Sequence, residues 1–478
     1  MYRYGKQIIS KNFTSKRFFN SQIFPNEKIQ LSHTTENVIR GGPNRFPLLS
    51  EGFHNIKKIG IIGWGSQGPS QALNLRDSLN SIDSPIDIKI GLRPGSKSIP
   101  EVIRNNFEYD TMENVLQESD FNIILISDSA QVKLYPEIFS NIKEGSTIGF
   151  SHGFLLGHLQ NVEEVFPDNI NVVMMAPKGM GPTLRDKYLL DSGINSSVAI
   201  QQDINNKAED IALAWAIGVG SPYVFHTTME QEYISDIFGE RAILLGGIHG
   251  LVEYLFCYYL RDNCEEKDSY YKSVVSLTGP INNEISWHGL LNLYYKLLLE
   301  DKIIFRENYH KSYHISKVLF EEIYREVKCG NEIRSVVING DIQIGKIDNS
   351  HLWQVAKGFE MDTYSQSINA KTAGMYIGAM MAQVDILLEN GHCYSEIVNE
   401  SIIEATDSLN PYMYQKGISH MIDNCSTTAR LGARKWASRL DYLYEQNMDT
   451  VDVSSNTFDS FLEHPIHSVL EELYKFKS

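Results

Sequence analysis

Cysteine is scarce in this sequence: there are five in 478 residues, Cys257, Cys264, Cys329, Cys393 and Cys425, with no C-x-x-C among them. That excludes a thiolate zinc site and a disulfide framework, and it fits a reducing compartment. Positive charge is also short. Lys and Arg number 43 against 59 Asp and Glu, a formal net charge of −16. Such a balance argues against nucleic acid and an anionic membrane surface as partners. Long apolar runs are missing as well: no stretch of about 18 residues goes without a charged or polar break. The nearest, Thr372 to Leu388, is interrupted by Gln383 and Asp385, so no transmembrane helix is expected. What is there is ordinary globular material, 42% hydrophobic and 21% charged. The chain is too long for one core, and two or three domains are expected.

Residues 1–26 stand apart. They hold Arg3, Lys6, Lys11, Lys16 and Arg17, several Ser and Thr, and no acid before Glu27. That is the composition of an organelle transit peptide, the alternative being a plain basic tail. Arg17-Phe18-Phe19 before Asn20-Ser21 has the form of a mitochondrial processing site, so mitochondrion is expected before plastid.

From about residue 45 to residue 227, short apolar runs alternate with helical patterns. The strand candidates are 57–63, 86–92, 121–127, 145–151 and 171–177. Their Ile and Val runs lack polar alternation, which indicates strands covered on both faces, hence a parallel sheet in an α/β layer fold. From residue 228 on, helical periodicity takes over, with "RSVVING" (334–340) as the main interruption. An α/β domain followed by an all-α region is therefore expected. Within the helical part, 244–255 resembles 376–387 and 269–285 resembles 393–409. If these similarities are a true repeat, two helical units, 228–372 and 373–478, pack on each other.

"KKIGIIGWGSQGPSQALNLRDSL" reads as strand, turn and helix. Gly63, Gly65 and Gly68 form G-x-G-x-x-G around Trp64, Ser66 and Gln67, at the end of the first apolar strand. In that context the pattern is a dinucleotide fingerprint, with the pyrophosphate at the helix N-terminus. An NAD site wants an acid at the end of the second strand. Here "GLRPGSKS" supplies Arg93, Ser96, Lys97 and Ser98 instead, donors suited to a 2′-phosphate, so NADPH is expected. Ser127 and Ser129, His152, and Lys178 fall after later strands, on the rim where α/β sheets bind ligands.

Two acid pairs share one spacing: Asp236 with Glu240, and Glu400 with Glu404, each in an apolar helical setting. Like charges at i and i+4 repel. Four carboxylates brought together in a helical bundle would need cations, and all-oxygen ligands favour Mg²⁺ or Mn²⁺. The alternative is two solvated pairs capped by lysines.

Taken together, "GWGSQGPSQALNLRDSL", "SHGFLLGHLQ", "APKGMGPTLRD", "EQEYISDIFGERAILLG", "YSEIVNESIIEATDSLNP" and "DNCSTTARLGARKW" resemble the ketol-acid reductoisomerases in their long, plant-like form. The resemblance implies a Rossmann-like N-terminal domain and two knotted helical units. It implies NADPH contacts from Arg93, Ser96 and Ser98, and a site for two Mg²⁺ at Asp236, Glu240, Glu400 and Glu404. It makes His152 and Lys178 active-site residues, gives Glu240 a proton-transfer role, and puts Ser426 against substrate. It implies reduction and alkyl migration of 2-acetolactate and 2-aceto-2-hydroxybutyrate for valine and isoleucine synthesis, in a homo-oligomer. Pro94 and the polar segment 341–372 depart from the plant pattern. Two other readings use the same residues: a metal-free NADP-dependent hydroxyacid dehydrogenase, and a non-catalytic NADPH-binding protein.

Overall fold

The computed structural model describes residues 20–340, 349–359, 367–452 and 457–477. Most of the basic leader, and the parts of 341–372 numbered 341–348 and 360–366, lie outside the described residues. One sheet of ten strands holds the N-terminal half: β1 (Asn26–Leu31), β2 (Thr34–Arg40), β3 (Lys58–Ile62), β4 (Asp87–Leu92), β5 (Glu108–Thr111), β6 (Phe121–Ile124), β7 (Thr147–Phe150), β8 (Asn171–Pro177), β9 (Ser196–Gln202) and β10 (Tyr223–His226). Their spatial order is β1-β2-β10-β9-β8-β7-β6-β3-β4-β5. From β5 to β8 every pairing is parallel, and the order reverses between β3 and β6. This is the doubly wound dinucleotide-binding order, whose ligand crevice opens at that switch point. Ile61 pairs with Ile90 on one side and Ile123 on the other. All three are fully buried, which explains why the parallel strands read as unbroken apolar runs.

The expected strands are all present. Beyond them, β5, β9, β10 and the β1–β2 hairpin extend the sheet at its two edges. β9 runs antiparallel to β8, and β2 antiparallel to β10.

The remainder is helical, and the repeat is real, though in a different register from the similarities seen in the sequence. Asn282 and Asn410, 128 residues apart, hydrogen-bond to each other at 2.9 Å. The same offset superposes Glu266–Tyr270 on Tyr394–Val398, Tyr271–Val275 on Asn399–Ile403, and Leu277–Ile281 on Ala405–Leu409. It also relates Leu290–Lys296 to Ile418–Asn424. Both aligned stretches of sequence were about one helical turn out of this register.

The two units are interlaced. Gly246–Arg261 of the first packs along Thr427–Asn447 of the second, and Ala370–Glu389 of the second along Leu299–Lys328 of the first. G-x-x-x-G makes the close crossings possible in both copies. A methyl at Gly250 would strike the Ala437 carbonyl, and one at Gly378 the Tyr309 carbonyl. The helical stretch Met229–Arg261 is long and apolar enough to cross a bilayer, yet most of it is buried inside the fold.

One expectation fails here. Residues 334–340 do not interrupt the helices: Asn331–Asn339 is itself helical. Its Val336-Val337-Ile338 run suggested a strand, but tertiary packing overrides β-branched propensity. Ile333 and Val336 are both buried on one side, and the adjacent Glu332 anchors the helix to Arg241, Lys435 and Trp436.

Candidate active site

β3 ends at Ile62 and the chain turns at Gly63, whose φ of 107° belongs to glycine. A Cβ at Gly63 would lie 2.8 Å from the Leu125 carbonyl, and one at Gly68 2.8 Å from the Gly63 carbonyl. At Gly65 the nearest atom would be 3.8 Å away. So the first and third glycines serve the turn and the helix packing, while the middle one leaves its backbone open to a phosphate. The helix Gly68–Asn80 begins at that point.

One strand further out, Arg93, Ser96 and Ser98 follow β4 as a turn. Ser96 N–H donates to the Arg93 carbonyl (3.1 Å), and Ser98 N–H to Ser96 Oγ (3.3 Å). Arg93 is exposed there. Across the switch point, Ser127 opens the helix Asp128–Asn141, with its Oγ 3.4 Å from that of Ser129.

A cavity of about 440 Å³ runs from this turn into the helical region. Gly65, Ser66, Gln67 and Ser127 line its nucleotide end; His152, Asp236, Glu240, Glu404 and Ser426 line the other. Asp236 and Glu240 come from the helix Met229–Arg241, as their spacing predicts. Glu400 lies on a π-helical turn, Asn399–Ile403, with Glu404 just after it, not on a regular α-helix. The two elements meet at Gly239, where an added Cβ would lie 3.3 Å from the Glu400 carbonyl oxygen. Asp236, Glu240 and Glu404, from stretches separated by most of the helical region, thus line one cavity, with Glu400 buried behind it against Lys178. Ser426 caps the helix Thr427–Asn447, its Oγ accepting from Ala429 N–H at 3.0 Å.

Lys178, at the end of β8, is buried and ion-paired with Glu400, with Glu232 at 3.4 Å. Its loop is pinned to the helical region, since Met180 N–H donates to Ser408 Oγ (3.2 Å). His152 Nε2 is 2.9 Å from Asp236 Oδ2, and its Nδ1 is 3.9 Å from Asp128 Oδ1.

Burial disfavours every charge here, and the neighbours decide which survive. Burial pushes Glu240 and Glu404 well above the usual carboxylate range, and the charges of Asp236 and, for Glu404, Glu400 push them further. Glu400 is pushed up to about 8 by burial, against the opposing pull of Lys178. Asp236 ends below its usual value because His152, Lys178 and Arg241 outweigh burial. His152 and Lys178 are held charged well above their ordinary ranges, because facing carboxylates overcome their desolvation. Glu400 Oε2 and Glu404 Oε2 are buried with no hydrogen-bond partner. Unpartnered buried carboxylate oxygens that repel one another suit a hard divalent cation.

Two residues at or beside the site, Glu232 and Arg241, carry no mark in the sequence, and a third, Asp128, stands there only as part of Ser127-Asp128-Ser129 on the rim, with no role of its own. Glu232 is buried one helical turn before Asp236, accepting from Gly153 N–H (2.8 Å). Its ligand atoms, with those of His152 and Asp236, lie within 4.8 Å of one another. The 232-236-240 ladder has the same i, i+4 spacing that marked the pair after it. Asp128 lines the cavity and accepts from Thr428 Oγ1 at 2.5 Å, tying the sheet domain to the helical one. Arg241, with no exposed side-chain surface, donates to Glu240 Oε2 (3.2 Å) and Glu332 Oε2 (2.6 Å). Neither of these two had a spacing signal.

A doubly wound sheet whose switch point opens onto a buried array of acids, a lysine and a histidine defines a dinucleotide-dependent oxidoreductase with a helical second domain. Comparison with known proteins narrows this. The family description "Acetohydroxy acid isomeroreductase, NADPH-binding domain" matches residues 54–223, and "Ketol-acid reductoisomerase, C-terminal domain" matches 229–369 and 369–463. The chain is 46% identical to the chloroplastic ketol-acid reductoisomerase of Spinacia oleracea over 95% of its own length and 81% of the relative's. It is 32% identical to the mitochondrial enzyme of Saccharomyces cerevisiae over 62% of its length and 77% of the relative's. Among solved structures, an NADH-preferring ketol-acid reductoisomerase from an uncultured archean matches at a TM-score of 0.54 and 24% identity, covering 67% of this chain and 93% of that one. That last likeness supports the fold alone. The chain belongs to the ketol-acid reductoisomerase family, NADP-dependent oxidoreductases of branched-chain amino acid biosynthesis, and its location is an organelle.

Proposed function

We propose that the cavity converts 2-acetolactate and 2-aceto-2-hydroxybutyrate to their 2,3-dihydroxy-3-methyl acids, and that Asp236, Glu240, Glu400 and Glu404 hold two Mg²⁺ for it. The observation that carries the reading is the pair of buried, unpartnered oxygens, Glu400 Oε2 and Glu404 Oε2, the second of them on the cavity that starts at the glycine turn. When bound, the cations supply polarisation of the substrate's adjacent oxygens, and NADPH supplies the hydride.

The chain's own residues do the rest. Gly63, Gly65, Ser66, Gln67 and Gly68 cradle the pyrophosphate, Ser127 and Ser129 flank it, and Arg93, Ser96 and Ser98 hold the 2′-phosphate. Alkyl migration between adjacent carbons requires a hydroxyl proton to leave and a neighbouring oxygen to take up charge. Glu240, on the cavity and pushed well above the usual carboxylate range by burial and Asp236, is placed to carry that proton. Lys178, buried and held charged, donates toward the oxygen that gains charge. Ser426 orients the substrate from its helix N-terminus. His152 faces Asp236 at 2.9 Å and lines the boundary between the nucleotide and acid ends. Buried walls exclude water from the exchange.

The leader's Arg17-Phe18-Phe19 supports a mitochondrial address, while the spinach and pea relatives are named chloroplastic. The enzyme reading is tested by following NADPH oxidation with racemic 2-acetolactate, with and without Mg²⁺. Turnover that needs both is expected. Turnover insensitive to EDTA would favour a metal-free hydroxyacid dehydrogenase instead.

A further inference from the structure

Gln383 breaks the apolar run of the helix Ala370–Glu389, and no role in the chemistry above falls to it. It is fully buried, among neighbours such as Ala379, Met380, Ala382 and Val384 that are equally buried. A polar amide in such a place is costly unless every bond is made. Here its oxygen accepts from Ile243 N–H at 3.0 Å, while its nitrogen donates to the Glu400 carbonyl at 2.8 Å and to Ser401 Oγ at 3.1 Å. Ile243 lies two residues past the end of the helix that carries Asp236 and Glu240; Glu400 belongs to the other pair. One side chain therefore spans the two stretches of backbone whose acids must share a site.

The repeat supplies an internal control. At the offset of 128 residues, Gln383 corresponds to Leu255, and Glu400 and Glu404 correspond to Lys272 and Ser276. The first unit has neither acid and no amide at that position. Its π-helical turn has the same need for a partner, and it is met from the other unit: Thr372 Oγ1, on the helix that carries Gln383, donates to the Lys272 carbonyl at 2.7 Å. Satisfying the turn's carbonyl thus does not by itself require a residue that also reaches Ile243. We infer that Gln383 is a positioning residue that sets the separation of the two acid pairs, and so the affinity of the cation site. This rests on the metal-site reading.

The test is calorimetric titration of Mg²⁺ into the full-length chain saturated with NADPH, for wild type, Gln383→Leu (the counterpart in the first unit) and Gln383→Met, which keeps the length. NADPH affinity is measured in parallel. Losing a link of two to three hydrogen bonds should weaken Mg²⁺ binding by about tenfold or more, with NADPH affinity within about twofold. Folded variants that bind Mg²⁺ as wild type does would overturn the clamp alone. A wild-type chain that takes up no Mg²⁺ would remove the metal site and the clamp with it. Failure of both variants to bind NADPH would make Gln383 a determinant of the fold and overturn the proposal.

Discussion

Replacing Glu332 by Gln perturbs the acid site without touching it. Glu332 Oε2 accepts from Arg241 Nε at 2.6 Å, and Oε1 accepts from Lys435 Nζ at 2.5 Å and Trp436 Nε1 at 3.1 Å. An amide has one acceptor oxygen, so one of these donor sets would face an NH₂ group. Arg241 would keep its charge with no exposed surface, and its remaining anion would be Glu240 at 3.2 Å. Breaking a buried pair from one side costs about 3–5 kcal/mol, whereas replacing both partners by apolar groups costs far less. Lys435 is 43% exposed and can turn to solvent, so it adds little. Glu332→Gln should therefore lose about 3–5 kcal/mol in denaturant unfolding. Arg241→Met combined with Glu332→Leu should recover most of that loss. Reductoisomerase activity should stay low in the double variant, because Glu240 has lost its guanidinium. A single substitution costing under about 1 kcal/mol, or a double one as costly as the single, would refute the reasoning.

Arg93→Asp should raise the Kd for NADPH by about 10- to 100-fold and leave that for NADH within about threefold. Equal losses for both would remove the 2′-phosphate assignment. Asp441 is pushed up to about 6 by burial and by Glu253 and Glu445. A raised acid costs stability once the pH passes its unfolded value, and the full cost is reached above the folded one. Asp441→Asn should thus raise Tm at about pH 8, with the gain shrinking toward about pH 4.5. An equal gain at both would contradict the sign.

The nucleotide half was legible because its signals are local. Gly63, Gly65 and Gly68 each answer to atoms within a few residues of the turn or on the adjoining strand. β9 and β10 were not legible: β10 has only four residues, and β9 joins the sheet antiparallel to β8, by a reversal that no spacing encodes. The acid pairs were visible as pairs because i and i+4 share a helix face, but the π-helical turn under Glu400 and Glu404 leaves no such trace. Arg241, Asp128 and Gln383 act through partners such as Glu332, Thr428 and Ile243, and only the folded chain shows them. The repeat was detectable in outline, while its register followed from Gly250 and Gly378, whose need for glycine comes from the helices that cross them.

The central claim is that Asp236, Glu240, Glu400 and Glu404 form one cation site beside the nucleotide. Its most direct test counts Mn²⁺ bound per chain by equilibrium dialysis with NADPH present, in wild type and in Glu404→Gln. Two ions in wild type, and at least one lost or greatly weakened in the variant, is the predicted result. Equal binding by both chains, or none by wild type, would contradict it.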